Sequence, residues 1–462
     1  MLSVQNPFGE KFSPLYLPNN TYIAHMKTPL VIENVQSVLS SALEHPINSK
    51  SLLEIALEKK KSDKNATCTI VVSDNTRPVP YKGDEGILLP IIKVLFCAGY
   101  SAEEITLLIA TGMHRAMQED EIHQMLDEEI FKLGIKVVNH NCKDEESLEY
   151  VGTTKRGTKA MIDTHYTKAG LKIATGLVES HFMAGASGGR KAICPGIIGE
   201  ESTFVFHGPE LMAHPNSRDL NLIGNPVHEE SLEVAHLAGV DFLVNVTLDH
   251  EFHVTGIFAG ELEKAHYAAV DNIKSVVQVE VPKEADIVIT HGGFVGMNHY
   301  QCAKCGVASL GALKKDGYLI AIANITDKGD AIGSINYKTT LALLHLMGPD
   351  KFVKLLNSPD WQFLPEQWQV QQWAKVFKKT EEKNFYFYAP QIEHKSFTGL
   401  PGIDVRTLFE EKTDEMSSDI FSVAIEKAIS DIERRTGKKR EELSICYLAE
   451  GPYEIPVVKG DK

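Results

Sequence analysis

At 462 residues the chain exceeds one ordinary domain, and length predicts about 2–4. A 43% hydrophobic and 24% charged composition is that of a soluble globular protein, and a formal net charge of −15 argues against nucleic acid, which needs a basic face. No basic leader with an apolar core opens the chain, no apolar run is long enough to cross a bilayer, and seven scattered cysteines make no disulfide framework. A reducing, cytoplasmic setting without nucleic-acid or membrane partners is expected.

In chain order, Thr67–Ser73 reads as a buried strand, residues 86–99 as a helix ending on glycine, and Glu104–Ala110 as a second strand. The run Lys59-Lys60-Lys61-Ser62-Asp63-Lys64 reads as a solvated loop. Strands follow at 135–139, 171–175, 242–246 and 253–258, then a helix over 261–277. Composition shifts at Val281-Pro282-Lys283-Glu284, and a fresh strand begins at Asp286. A helix over 300–315, a strand over 318–325 and helices over 339–347 and 417–435 precede a last strand at 444–448. This alternation predicts an α/β protein: two α/β domains with mainly parallel sheets, residues 1–280 and 281–462, and an active-site cleft between them.

The polar signals fall just past strands, where open α/β sheets bind ligands. Asp74-Asn75-Thr76-Arg77-Pro78 offers a guanidinium able to grip a carboxylate, although, taken alone, the segment reads better as an Asx-turn with an Arg–Asp surface pair. Thr111-Gly112-Met113-His114-Arg115 puts an imidazole on an exposed turn, suited to proton transfer near neutral pH. The run from Glu179 to Lys191 holds His181, the glycine-rich Gly185-Ala186-Ser187-Gly188-Gly189 and Lys191, and His207 follows. Its glycines allow successive N–H groups to face an anion, yet it lacks the hydroxyl residue of a Walker loop. Gln301-Cys302-Ala303-Lys304-Cys305 opens a helix; its CxxC is weak evidence for metal or redox chemistry, while Gln301 and Lys304 share a face that suits an anionic oxygen. Trp361, Trp368 and Trp373 read first as core.

Taken in order, these segments resemble the nickel-dependent lactate racemase family: Asp-x-x-Arg-Pro, Thr-Gly-x-His-Arg, Ser-His, Ser-Gly-Gly-x-Lys, His207, Gln301-x-x-Lys304 and Glu366-Gln367-Trp368. The match spans roughly residues 70–375. The resemblance implies a nickel-pincer nucleotide attached covalently to Lys191, with nickel bound by two cofactor sulfurs, a pyridinium carbon and His207. It implies that Asp74, Ser187, Gly188, Gly189 and Trp368 serve the cofactor, that Arg77, Gln301 and Lys304 hold substrate, and that His114 and His181 are paired acid/base residues. The implied reaction inverts C2 of a 2-hydroxy acid by hydride transfer, which avoids a poorly stabilised carbanion. Lactate, longer acids, dicarboxylates and sugar acids all fit this chemistry, and cofactor-making enzymes are implied partners. Two other readings stand beside it: a zinc hydrolase using His114, His181 and His207 around an activated water, and a non-catalytic protein that binds a hydroxy acid or nucleotide.

Overall fold

The structure, a computed structural model, describes residues 1–8, 11–415 and 417–460. The chain divides into two compact units: Thr28–His207 with His214–Ser275, and Met1–Lys27 with Gly208–Ala213 and Val276–Lys462.

The first unit is built on a six-stranded sheet in the order 254–260, 242–248, 171–177, 68–73, 105–110, 136–139. Only Val254–Gly260 runs antiparallel. Cys68–Ser73 is central and buried along almost its whole length, which is why its sequence is a continuous apolar run rather than an alternating one. Ile70, Val72, Leu107, Ile109, Ile173 and Val244 meet in one core under the helix Leu88–Cys97. The lysine run is not a loop. It ends the helix Leu52–Ser62, where cations complement the helix dipole, and it pairs outward: Lys59 to Asp241 and Lys60 to Glu104, each at 2.7 Å.

The second unit carries another six-stranded sheet, all parallel, in the order 403–404, 385–388, 313–322, 285–291, 445–448, 21–24. Its core joins Ile287, Ile289, Ile320, Tyr386 and Tyr447 to the apolar face of the helix Ile420–Thr436. Two sequence expectations change here. Residues 1–27 lie in this unit and not with residues 28–275, because the strand Thr21–Ala24 pairs with Ile445–Leu448 and completes the sheet edge. The helix expected over 300–315 stops at Ala308; a short turn through Gly311 intervenes, and Leu313 already begins the next strand. Among the described residues, no helix is long and apolar enough to cross a membrane.

Candidate active site

Asp74 sits immediately past the strand Cys68–Ser73, and the His114 turn follows the adjacent strand Ile105–Ala110. Parallel pairing of these strands delivers both side chains to the same sheet end. The His114 Nδ1–H donates to Asp74 Oδ2 at 2.7 Å. Asp74 Oδ1 accepts from the Thr76 N–H at 3.2 Å and from its hydroxyl at 2.6 Å. Burial alone would raise the Asp74 pKa, but the bonds from His114 and Thr76 outweigh it, so the carboxyl is held below its ordinary value. An ionised carboxylate only accepts, which assigns the Nδ1 proton to His114 and leaves Nε2 as the lone-pair nitrogen of its neutral ring. The His114 side chain is 59% exposed while Asp74 behind it is buried. The Asx-turn expected at Asp74 is present, but no Arg77–Asp74 pair forms: Arg77 Nε lies 3.9 Å from Glu179 Oε2.

His181 is mounted differently. Ser180–His181 pairs with Gly185–Ala186 in a small antiparallel hairpin after the strand Leu171–Leu177. The Met183 and Ala184 N–H groups donate to His181 Nδ1 at 3.3 and 3.2 Å. Nδ1 is therefore an acceptor, and the neutral ring carries its proton on Nε2. As neutral rings the two histidines are opposite tautomers.

The glycine-rich run reads equally as an anion cradle or as an ordinary turn, and three of its N–H groups are bonded within the protein. The Ser187 N–H goes to Glu179 O at 2.9 Å, the Gly189 N–H to Asn245 Oδ1 at 3.0 Å, and the Lys191 N–H to Gly188 O at 3.0 Å. The Ser187 hydroxyl donates to Leu177 O and accepts from the Glu179 N–H, both at 2.8 Å. The glycines are needed for close packing. A Cβ on Gly188 would come within 2.6 Å of Val178, and one on Gly189 within 2.5 Å of the His266 ring; both positions have positive φ.

His207 caps the short helix Thr203–Phe206, its N–H bonded to Thr203 O at 3.1 Å. The Thr203 hydroxyl, which donates to Glu200 O at 2.7 Å, lies 3.3 Å from Met113 Sδ, which brings this helix beside the His114 turn. Burial, and then the Lys191 cation, push the His207 pKa down to about 3. The ring is neutral at physiological pH, as a metal ligand must be, and it lies within the field of Lys191. Among the described residues, the only group of three or more His, Cys, Asp or Glu side chains whose ligand atoms lie within 4.8 Å of one another is Asp249, Glu251 and His253. His114, His181 and His207 do not form such a group, which counts against the zinc hydrolase.

In the other unit, Gln301 and Lys304 lie one turn apart on the helix His299–Ala308, which Asn298 caps by accepting the Gln301 N–H at 2.9 Å. Gln301 Oε1 is buried without a hydrogen-bond partner, so one polar atom here is unspent. Both cysteines of the CxxC are buried; the hydrogen bond with Cys305, followed by burial, raises the Cys302 thiol well above its ordinary pKa, which makes it a poor thiolate. Trp373 is core, its indole N–H on the Tyr337 hydroxyl at 2.9 Å. Trp368 is half-buried and stacks on Phe363, ring centroids 5.9 Å apart.

Arg190, Asn245 and His266 escape the sequence reading, yet they hold the loop together. Asn245 had a signal: it is a lone amide in the apolar run Phe242–Leu248.

Residues 8–219 match the family model described as the lactate racemase N-terminal domain. The chain is 30% identical over 400 residues to a lactate racemase from Thermoanaerobacterium thermosaccharolyticum, covering 84% of this chain and 90% of that one. It is 31% identical over 344 residues to a lactate racemase from Lactiplantibacillus plantarum, covering 74% and 77%. The solved lactate racemase apoprotein from T. thermosaccharolyticum superposes with a TM-score of 0.82 at 26% identity, over 98% of this chain and all of that one. A Thermotoga maritima protein shares the fold, with a TM-score of 0.59 at 15% identity over 90% of this chain and all of that one. This similarity makes the chain an isomerase. The chain belongs to the lactate racemase family.

Proposed function

We propose that this protein interconverts the C2 configurations of a 2-hydroxy acid, lactate or a close relative, with His114 and His181 as the acid/base pair. The observation that carries the reading is the Asp74–His114 couple, an ionised carboxylate 2.7 Å behind an exposed imidazole. His114 Nε2 accepts the substrate hydroxyl proton, and Asp74 stabilises the imidazolium that results. The neutral His181 Nε2–H can hydrogen-bond the substrate oxygen; to return a proton to that oxygen the ring must first be imidazolium, protonated at both nitrogens. For His181 to take a proton at Nε2, its Nδ1 must become the protonated nitrogen and give up two backbone donors. The two directions of the reaction therefore draw on unlike groups.

Lys191 is the proposed attachment point of a nickel-pincer nucleotide, with Ser187, Gly188 and Gly189 fixing its approach and His207 as nickel ligand. The neutral His207 ring within the field of Lys191 supports this donor set. When bound, that cofactor supplies the hydride acceptor and donor for C2. Asp74, through its grip on His114, and Trp368, through its flat half-buried face, complete the proposed cofactor-side residues. Arg77 is the proposed carboxylate clamp, and Gln301 and Lys304 the further substrate contacts; the unspent Gln301 Oε1 suits a substrate hydroxyl. Enzymes that make the cofactor are the expected partners.

The test is racemisation of C2-deuterated lactate by protein co-expressed with those enzymes. Deuterium retained at C2 in the inverted product is expected; wash-out into water would reject hydride transfer. Lys191→Ala should lose both the nucleotide mass and activity, and an adduct on any other peptide would reject the attachment site.

A further inference from the structure

Arg190 is fully buried and bonds no carboxylate. Its guanidinium spends itself on the loop that precedes it: Nη2 donates to Ala184 O at 2.6 Å, and Nη1 to Ala186 O at 2.7 Å and Gly188 O at 3.3 Å. Nε finds no partner. Around it, His266 donates Nε2–H to Ser187 O at 2.9 Å, and His228 stacks against His266. Burial pulls the guanidinium pKa down to about 9, still charged at neutral pH.

A buried cation without a counter-anion is costly, and an apolar side chain would fill the same space at less cost. What the guanidinium alone provides is a planar fork that holds several carbonyls at fixed angles. One of those carbonyls belongs to Ala184, and the N–H of the same residue donates to His181 Nδ1. The bonds flank one Cα, so the fork that seizes the carbonyl also sets the direction of the donor that holds the imidazole.

We infer that Arg190 is a positioning residue for His181: through Ala184 it locks the imidazole into the Nε2–H tautomer and fixes where that proton points. Its neighbour Lys191 is the proposed attachment residue, so one buried side chain registers both groups on the same loop. The importance of the tautomer rests on the proposed acid/base role of His181; the tautomer itself does not.

Long-range proton–nitrogen correlation spectra of histidine-labelled protein without cofactor, at neutral pH, test this directly, with His181→Gln assigning the resonance. Wild type should show His181 protonated at Nε2 and unprotonated at Nδ1. A proton on Nδ1 would overturn the inference, whatever the variants do. Hydrogen exchange of the peptide spanning residues 182–186 should be slow in wild type; exchange at the rate of an open loop would overturn it as well. Arg190→Lys reaches fewer carbonyls, and its His181 should populate both tautomers. In the loaded enzyme its kcat should fall about 10-fold with KM within about 2-fold and the Lys191 adduct intact, since only the proton donor is disturbed. A folded Arg190→Lys protein with the wild-type tautomer would overturn the inference; if that variant does not fold, the two wild-type measurements decide. A correct tautomer in a loaded protein that racemises no 2-hydroxy acid would reject the proposed function and leave Arg190's role standing.

Discussion

The two proposed acid/base histidines are held by different means. His114 leans on one buried side chain, Asp74, and is otherwise exposed. His181 leans on the backbone of its own loop, and that loop is held by Arg190, Ser187, Asn245 and the His266 ring. A carboxylate mount accepts the Nδ1 proton and is removed by one substitution. A peptide mount opposes protonation at Nδ1 and is spread over many residues. The first suits a base and the second a hydrogen-bond donor, and the proposed reaction, which runs in both directions, has use for each.

The largest expected effect removes the rings themselves. His114→Ala and His181→Ala should each cost about 10²–10⁴-fold in racemisation in both directions, the range for losing one general acid or base. Both should keep the nucleotide mass and nickel, whereas His207→Ala should lose nickel. Metal analysis beside rates separates the three. Nickel lost from His114→Ala, or near-normal rates in His181→Ala, would break the comparison.

Next come the mounts as structures. Gly189→Ala should destabilise the protein by about 3 kcal/mol, because its Cβ would meet the His266 ring at 2.5 Å with φ at +53°. Gly112→Ala, in the His114 turn, has the same φ of +53°, but its Cβ meets only Pro195 O at 3.2 Å. It should cost about 1–2 kcal/mol, the penalty of a left-handed residue. Thermal melts of the two variants should differ in that order; equal losses would mean that the second loop is no more tightly built than the first.

Asp74→Asn tests the carboxylate mount by charge and not by shape. An amide can accept the Nδ1–H but cannot stabilise imidazolium, so kcat should fall about 10²-fold, the low end for losing general acid/base assistance, with the fold intact. The folded-state pKa of Asp74 lies below its ordinary 3.8. Its contribution to stability is therefore complete above that value and is lost as pH falls through the folded pKa. Wild type should lose more stability than Asp74→Asn on acidification below about pH 4; parallel stability curves would deny the couple any net strength.

Much of this was legible in the sequence, for particular reasons. The strands that lead into Asp74 and His114 are buried in parallel sheet, so they read as near-continuous apolar runs, and their ends mark the candidate site. The strand Thr21–Ala24 was not legible, because four residues show too little alternation and its partner lies more than 400 positions away. The helix that begins at His299 ends earlier than its sequence suggests, since nothing in Leu313-Lys314-Lys315 contradicts a helix until the sheet claims it. His181's mount was hidden because its donors are backbone groups, which every sequence contains. Arg190 was hidden because arginine between a glycine and a lysine reads as solvent-facing; only the inward carbonyls of the folded loop make a home for it.

The smallest expected effect lies where the two mounts approach each other. Arg77 follows Asp74, Glu179 precedes His181, and their charged groups are 3.9 Å apart with side chains 39% and 50% exposed. A pair so exposed and so long contributes less than about 0.5 kcal/mol, so Glu179→Gln should leave the melting temperature nearly unchanged. Its effect should fall on substrate instead. If Arg77 clamps the substrate carboxylate, Glu179 competes for the same guanidinium, and removing its charge releases Arg77. An interaction of about 0.5 kcal/mol is worth about 2-fold in binding, so KM for a 2-hydroxy acid should fall by about that factor with kcat unchanged. Arg77→Gln should move KM the opposite way and much further. A KM that rises in Glu179→Gln would show that the carboxylate holds Arg77 in place for substrate, and the pair would then be a joint between the two mounts and not a rivalry.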